Sequence, residues 1–280
     1  MKRKLIGILC MICVVCAGCG ATKESTAKEA DTAPKDKVEE TKTEEANVEQ
    51  KPLLENSSGK VMIQCVADAA YKYNSYMITS ANGENLVIDP TGVATKEDYD
   101  MNVAAIVSTH NHPDHVDKNF TNSYPDAQKL IYEEGSISTK DFKVTMIPSS
   151  HKGDTINTPS TNYIALIEVD GLRIVHMGDC GQTSLTEEQL AQLGEVDICF
   201  MQYTNQQSGI AASDGIAAKI MEQLSPKRII PTHYMNDDLE YLAQQYGEIE
   251  ELDNVMYVDK EDVSNDSLTM YRILNNVTYK

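Results

Sequence analysis

The sequence predicts a mixed α/β (α+β) body in which two β-sheets pack face to face with helices on their outer sides. Three observations lead there: many short strand-like runs, early ones close enough in sequence to form hairpins, and later ones alternating with helical patterns. In order, strand character falls on Val61–Val66, Ser75–Thr79, Asn85–Asp89, Val103–Ser108, Lys129–Tyr132 and Phe142–Ile147. It continues in Asn162–Val169, Leu172–His176, Val196–Met201, Arg228–Pro231, Val255–Val258 and Leu268–Leu274. Asn82-Gly83 and Asp170-Gly171 are hairpin signals, because both dipeptides tolerate positive φ. One helix is expected over Thr186–Leu193, with acidic residues in its first turn and Gly194 at its end. A second is expected over Ser213–Leu224, starting at a capping serine and stopping before Pro226.

The chain has 280 residues, with 24 Lys+Arg against 43 Asp+Glu. Nearly all of the excess charge lies beyond residue 59, so the body is strongly anionic and is a poor partner for nucleic acid. Residues 1–19 read as a secretion signal: Lys2, Arg3 and Lys4 precede an apolar run from Leu5 to Val15 that is too short to span a bilayer. Its end, Ala17-Gly18-Cys19, resembles a bacterial lipobox, which implies a lipid on Cys19 and an extracytoplasmic, membrane-anchored protein. The position three before Cys19 departs from that pattern, being Cys16 where Leu is usual. Residues 20–59 are rich in Lys, Glu, Thr and Ala, a composition that suits a disordered tether, and residues 60–280 form the folded domain. Cys65, Cys180 and Cys199 in the body are expected to be mostly reduced and buried, with a bridge between two of them left open.

Three of the six histidines fall in His110-Asn111-His112-Pro113-Asp114-His115, directly after an apolar strand. Residues i and i+2 of an extended backbone share a face, so His110 and His112 can point at one ion. Pro113 suits the first turn of a helix that would carry Asp114 and His115 toward a second point.

This segment resembles the signature of the metallo-β-lactamase fold superfamily, which implies a four-layer αββα sandwich. His151 in Pro148-Ser-Ser-His151, Asp179 in His176-Met-Gly-Asp179 and His233 in Pro231-Thr-His233 match the rest of that pattern in order. So does the opening pair of strands, Asn74–Ile78 and Leu86–Pro90 with Asp89. Carried over residue by residue, the resemblance gives His110, His112 and His151 to a first divalent ion and Asp114, His115 and His233 to a second. Asp179 would bridge the two. Zinc ranks first, and the same donors tolerate manganese or iron. His176 is expected to pack in the core, with a role orienting a ligand as the alternative, and Cys180 to be a buried, inert thiol.

Within the superfamily, Gly171–Asp179, Leu185–Leu190 and Pro226–Tyr234 resemble the branch of L-ascorbate-6-phosphate lactonase. Gln202-Tyr203-Thr204-Asn205 departs from it, so substrate identity does not carry over. The implied activity is hydrolysis of a small ester, lactone or phosphoester by hydroxide shared between two ions, with Asp114 helping to orient it. Two rivals remain: a tethered ligand-binding lipoprotein without turnover, and a nuclease or phosphodiesterase, which the acidic body disfavours. The residues say nothing of oligomeric state.

Overall fold

The computed structural model describes residues 53–68, 75–264 and 267–279, so the leader, Cys19 and the tether up to residue 52 lie outside the described residues. Strands β1 (Val61–Cys65), β2 (Tyr76–Thr79), β3 (Asn85–Ile88) and β4 (Val103–Ser108) come first, then helix α1 (Lys118–Ser123) and β5 (Gln128–Ile131). Next are β6 (Gly135–Ser138), β7 (Phe142–Ser149), β8 (Asn162–Val169), β9 (Leu172–His176), α2 (Glu187–Leu193), β10 (Ile198–Gln202), α3 (Ile216–Leu224) and β11 (Arg228–Thr232). The chain closes with α4 (Asn236–Tyr246), β12 (Ile249–Leu252), β13 (Val255–Val258), α5 (Lys260–Ser264) and β14 (Thr269–Ile273). A six-stranded sheet has the order β13-β1-β2-β3-β4-β5, and an eight-stranded sheet the order β12-β14-β11-β10-β9-β8-β7-β6.

The period of two in each strand sorts side chains into three apolar layers. Leu86, Ile88, Ala105 and Val107 of the first sheet meet Ile174, Ile198, Phe200 and Ile230 of the second in the central core. Their neighbours Val87 and Ile106 face the other way, beneath Phe120 of α1. On the far side Val175, Cys199, Met201 and Ile229 pack under α2, α3 and α4 through Leu193, Ile220 and Leu242. The expected two-sheet sandwich with outer helices is therefore the observed architecture.

Several expectations need correction in detail. Pro113 does not open a helix: the His115 and Val116 amides both donate to His112 O (2.9 and 3.2 Å), closing one isolated turn. Helix α1 starts only after Asp117, whose side chain accepts from the Asn119 and Phe120 amides. Ser213 is not a cap either, because Asp214 accepts from the amides of Ala211 and Ile216 (both 2.8 Å) and Gly215, at φ +75°, restarts the chain as α3. Asn82-Gly83 lies in a longer hairpin loop, in which the Ser80 amide donates to Glu84 O at 2.9 Å. Asp170-Gly171 is the two-residue turn expected, with φ of +47° and +80°. Residues 53–59, placed by composition in the tether, touch the body: Leu53 packs against the apolar cluster that includes Val66, Val87 and Phe120, and Asn56 Nδ2 donates to Ser80 O at 3.0 Å.

Cys65, Cys180 and Cys199 are free and buried. Burial pushes their thiols up, Cys65 to about 12 and Cys180 to about 11, so neither offers a thiolate near neutrality. Among the described residues no helix is long and apolar enough to cross a membrane.

Candidate metal centre

All seven side chains singled out in the sequence converge at one edge of the sandwich, just beyond strand C-termini. His110, His112, Asp114 and His115 follow β4, His151 follows β7, Asp179 follows β9 and His233 follows β11. Strands β7 and β9 both pair antiparallel with β8, and β9, β10 and β11 run parallel, so those ends share one side.

The seven fall into two groups of mutually close donor atoms, His110 with His112, His151 and Asp179, and Asp114 with His115 and His233. Asp179 joins them. Its Oδ2 lies 3.5 Å from His110 Nε2 and 3.3 Å from His151 Nε2, while its Oδ1 lies 3.3 Å from His115 Nε2 and 3.2 Å from His233 Nε2. Within the groups His110 Nε2 is 3.0 Å from His112 Nδ1, and His115 Nε2 is 3.0 Å from His233 Nε2. Asp114, partly exposed at the rim, places Oδ2 3.7 Å from His115 Nε2 and 4.0 Å from His233 Nε2.

The surroundings decide which nitrogen of two rings carries the proton. His115 Nδ1 donates to Asp89 Oδ2 at 2.7 Å, which turns the Nε2 lone pair toward Asp114 and His233. Asp89 also accepts the Thr109 amide at Oδ1 (2.7 Å) and the Thr109 hydroxyl at Oδ2 (2.9 Å). That hydroxyl has one proton to give, so at 3.1 Å it accepts from His110 Nδ1 and leaves His110 Nε2 bare. Asp89 therefore presents one lone pair to each group.

Electrostatics describe a cavity short of positive charge. Burial opposes ionisation of His115, yet Asp89 and Asp179 override it and raise the ring to about 10, so without a cation Nε2 carries a proton, and a cation bound there would displace it to use the lone pair. Burial also works against the Asp179 carboxylate, and the surrounding histidines hold it far below the usual range nonetheless. Burial dominates at His110 and His233 and lowers both. Two buried atoms aimed at the centre, His151 Nε2 and Asp179 Oδ1, have no hydrogen-bond partner. Imidazole nitrogens and an unmatched carboxylate oxygen converging at these distances fit divalent cations with nitrogen and oxygen preferences.

The Asp179 segment is tightly located. Its amide donates to Asn162 Oδ1 (2.9 Å), and a Cβ added at Gly178 would fall 2.5 Å from that oxygen, at a φ of +54° that also favours glycine. At Gly181 a Cβ would meet His151 O at 2.3 Å, so the β9 loop and the His151 loop approach as only glycine allows. His176 packs against Phe200, its ring centroid 5.1 Å away, and its Nδ1 accepts the Gly178 amide at 3.0 Å. The packing expected of it is what is observed, and its ring nitrogen bonds the backbone of the turn before Asp179 rather than a candidate ligand. Asp89 and His233 are non-glycine residues at positive φ (+50° and +42°), strain of the kind that gathers at functional sites.

Sequence reasoning assigned no role to Asp89, Thr109 or Asn205. Asp89 was in view as part of the opening strands, and its position before Pro90 at the end of β3 was the available signal. Beside the first group opens a cleft of about 480 Å³, lined by Asn111, Tyr132, Lys152, Asn157, Ser160 and Thr161 among others.

The chain matches the family model described as a β-lactamase superfamily domain over residues 70–233. A proposed Zn-dependent hydrolase of the metallo-β-lactamase superfamily from Thermotoga maritima superposes with a TM-score of 0.54 at 16% identity, covering 76% of this chain and 100% of that one. A proposed metal-dependent hydrolase from Parabacteroides distasonis gives 0.51 at 20% identity, covering 81% and 100%. Among curated proteins none matches. With a family match across more than half its length, and the sandwich and edge site just described, this chain belongs to the β-lactamase superfamily and has the metallo-β-lactamase fold.

Proposed function

We propose that the protein is a hydrolase in which His110, His112 and His151 hold one divalent cation, Asp114, His115 and His233 hold a second, and Asp179 is shared. Zinc ranks first for this mixture of imidazole and carboxylate. The observation that carries the reading is the division of Asp179, with one oxygen turned to each set of imidazole nitrogens at 3.2–3.5 Å.

Divalent cations in such a pair supply Lewis acidity and an activated water near neutral pH. The protein's own part is to keep ring nitrogens bare through Asp89 and Thr109 and to place Asp114 at the open rim, where it can hold and accept a proton from the attacking water. The neighbouring cleft suits a small molecule rather than a polymer, since about 480 Å³ lies within the usual range for small-ligand sites. Its amides, hydroxyls and single lysine favour a polar substrate: an ester, lactone or phosphoester, the lactone being in keeping with the likeness of Pro226–Tyr234 to the lactonase branch. We place the protein outside the cytoplasm, tethered by a lipid on Cys19.

Elemental analysis of the full chain tests the reading, with close to two ions per chain expected after growth in metal-supplemented medium. Less than half an ion would overturn it. A hydrolase screen on the loaded protein then separates turnover from simple retention of an unaltered ligand.

A further inference from the structure

Asn205 follows β10 in the loop Gln202-Tyr203-Thr204-Asn205, and it is buried against the candidate centre. Its Nδ2 donates to Asp179 Oδ2 at 2.7 Å and to Gln202 Oε1 at 3.0 Å, which uses both amide protons. Its Oδ1 accepts the Gln207 amide at 2.9 Å. Gln202 is in turn anchored, donating from Nε2 to Cys180 O at 2.8 Å. Backbone donors on one side and the Gln202 acceptor on the other fix which way the Asn205 amide faces.

The remaining contacts of Asp179 locate its backbone: the amide bonds to Asn162, and the carbonyl accepts Ser208 Oγ at 3.2 Å. Neither sets the rotation of the carboxylate, a torsion with a broad well. Apart from the four imidazoles, Asn205 is the partner that the described residues give that carboxylate. Its hydrogen bond falls on Oδ2, the oxygen facing His110 and His151, and leaves Oδ1 free toward His115 and His233. A hydrogen bond draws donor strength from the oxygen that accepts it. The first group has three imidazoles to compensate, whereas the second has two and a partly exposed Asp114.

We propose that Asn205 is a positioning residue that sets how Asp179 divides between the two groups, keeping Oδ1 turned to the second and the carboxylate shared rather than rotated onto one. This rests on the two-cation reading above, and the experiment separates the two ideas. Stepwise zinc affinities of the full chain would be measured by competition with a chromophoric chelator for wild type, Asn205→Ser and Asp114→Ala. Serine is too short to reach Asp179 but can still accept the Gln207 amide, and Asp114→Ala identifies the step that belongs to the second group.

Asn205→Ser should weaken that second step by about tenfold or more while the other step stays within about threefold. A purely structural role would move both steps together, and equal losses or unchanged constants would each overturn the proposal. Wild-type protein that binds no zinc would instead defeat the two-cation reading itself. Should Asn205→Ser fail to fold, the side-chain amide resonances of Asn205 in the wild-type chain carry the same test. They should shift as zinc is added, and resonances unmoved through two equivalents would overturn the assignment.

Discussion

The 2.7 Å hydrogen bond from His115 Nδ1 to Asp89 Oδ2 ties the candidate centre to a residue that touches no other member of the second group. Through Thr109 the same carboxylate also reaches His110 of the first group, so one buried acid sets the tautomers of two rings. Asp89→Asn keeps the volume but offers one acceptor oxygen to three donors, and its amide can present a proton to His115 where an acceptor is needed. It should lower zinc affinity by about 10- to 100-fold, read by chelator competition, while circular dichroism of the metal-free protein stays close to wild type. Wild-type affinity in this variant would show that the tautomers are held by other means.

Asp114→Ala should cut turnover of any substrate found by at least about 100-fold, roughly 2.7 kcal/mol of transition-state stabilisation. His110, His112 and His151 are untouched by the change, so the first group's ion should largely remain. Steady-state kinetics alongside elemental analysis checks both parts, and unaltered kcat with one ion lost would remove Asp114 from the reaction.

Burial lowers the His176 ring to about 4, and the ring must stay neutral to accept the Gly178 amide. A histidine depressed in the folded state contributes stability above its unfolded value near 6.5, and that contribution is lost as pH falls toward 4. Metal-free protein should therefore weaken between pH 6.5 and 4, with His176 supplying about 2–3 kcal/mol of the loss. In His176→Asn an amide oxygen can take the place of Nδ1 without titrating, and urea unfolding across that window should show a shallower decline. An identical slope in the two proteins would assign the acid sensitivity elsewhere.

Replacing Cys19 with Ser should release the protein into the medium or leave its precursor uncut, as judged by fractionation and intact mass. Membrane retention at unchanged mass would remove Cys19 as the anchor.

The strands that were legible are those buried on both faces, such as Val103–Ser108 and Asn162–Val169, where apolar and β-branched residues dominate. Strands β6 and β12, Gly-Ser-Ile-Ser and Ile-Glu-Glu-Leu, escaped notice because they are the two edges of the eight-stranded sheet and bury no residue fully. Helix α4 was hidden for a similar reason: only Leu242 on it is buried, and its stripe is faint among acidic and amide side chains. At the site, histidines stood out because a chain with six of them placed three within six residues. Asp89, Thr109 and Asn205 did not, since their importance comes from neighbours 20 to 26 residues away in sequence.

The four β4-end residues hang from the six-stranded sheet, whereas His151, Asp179 and His233 hang from the eight-stranded one, and between them a backbone hydrogen bond runs from the Tyr163 amide to Thr109 O at 3.0 Å. A cation taken up by both sets would act as a rivet through the two halves of the sandwich, binding the assembled layers and not the separated ones. Each tenfold excess of free ion over its dissociation constant would then add about 1.4 kcal/mol against parting of the layers. Catalytic loading and mechanical cohesion would rise and fall together, so a chelator that silences the centre would also unfasten the edge at which it sits.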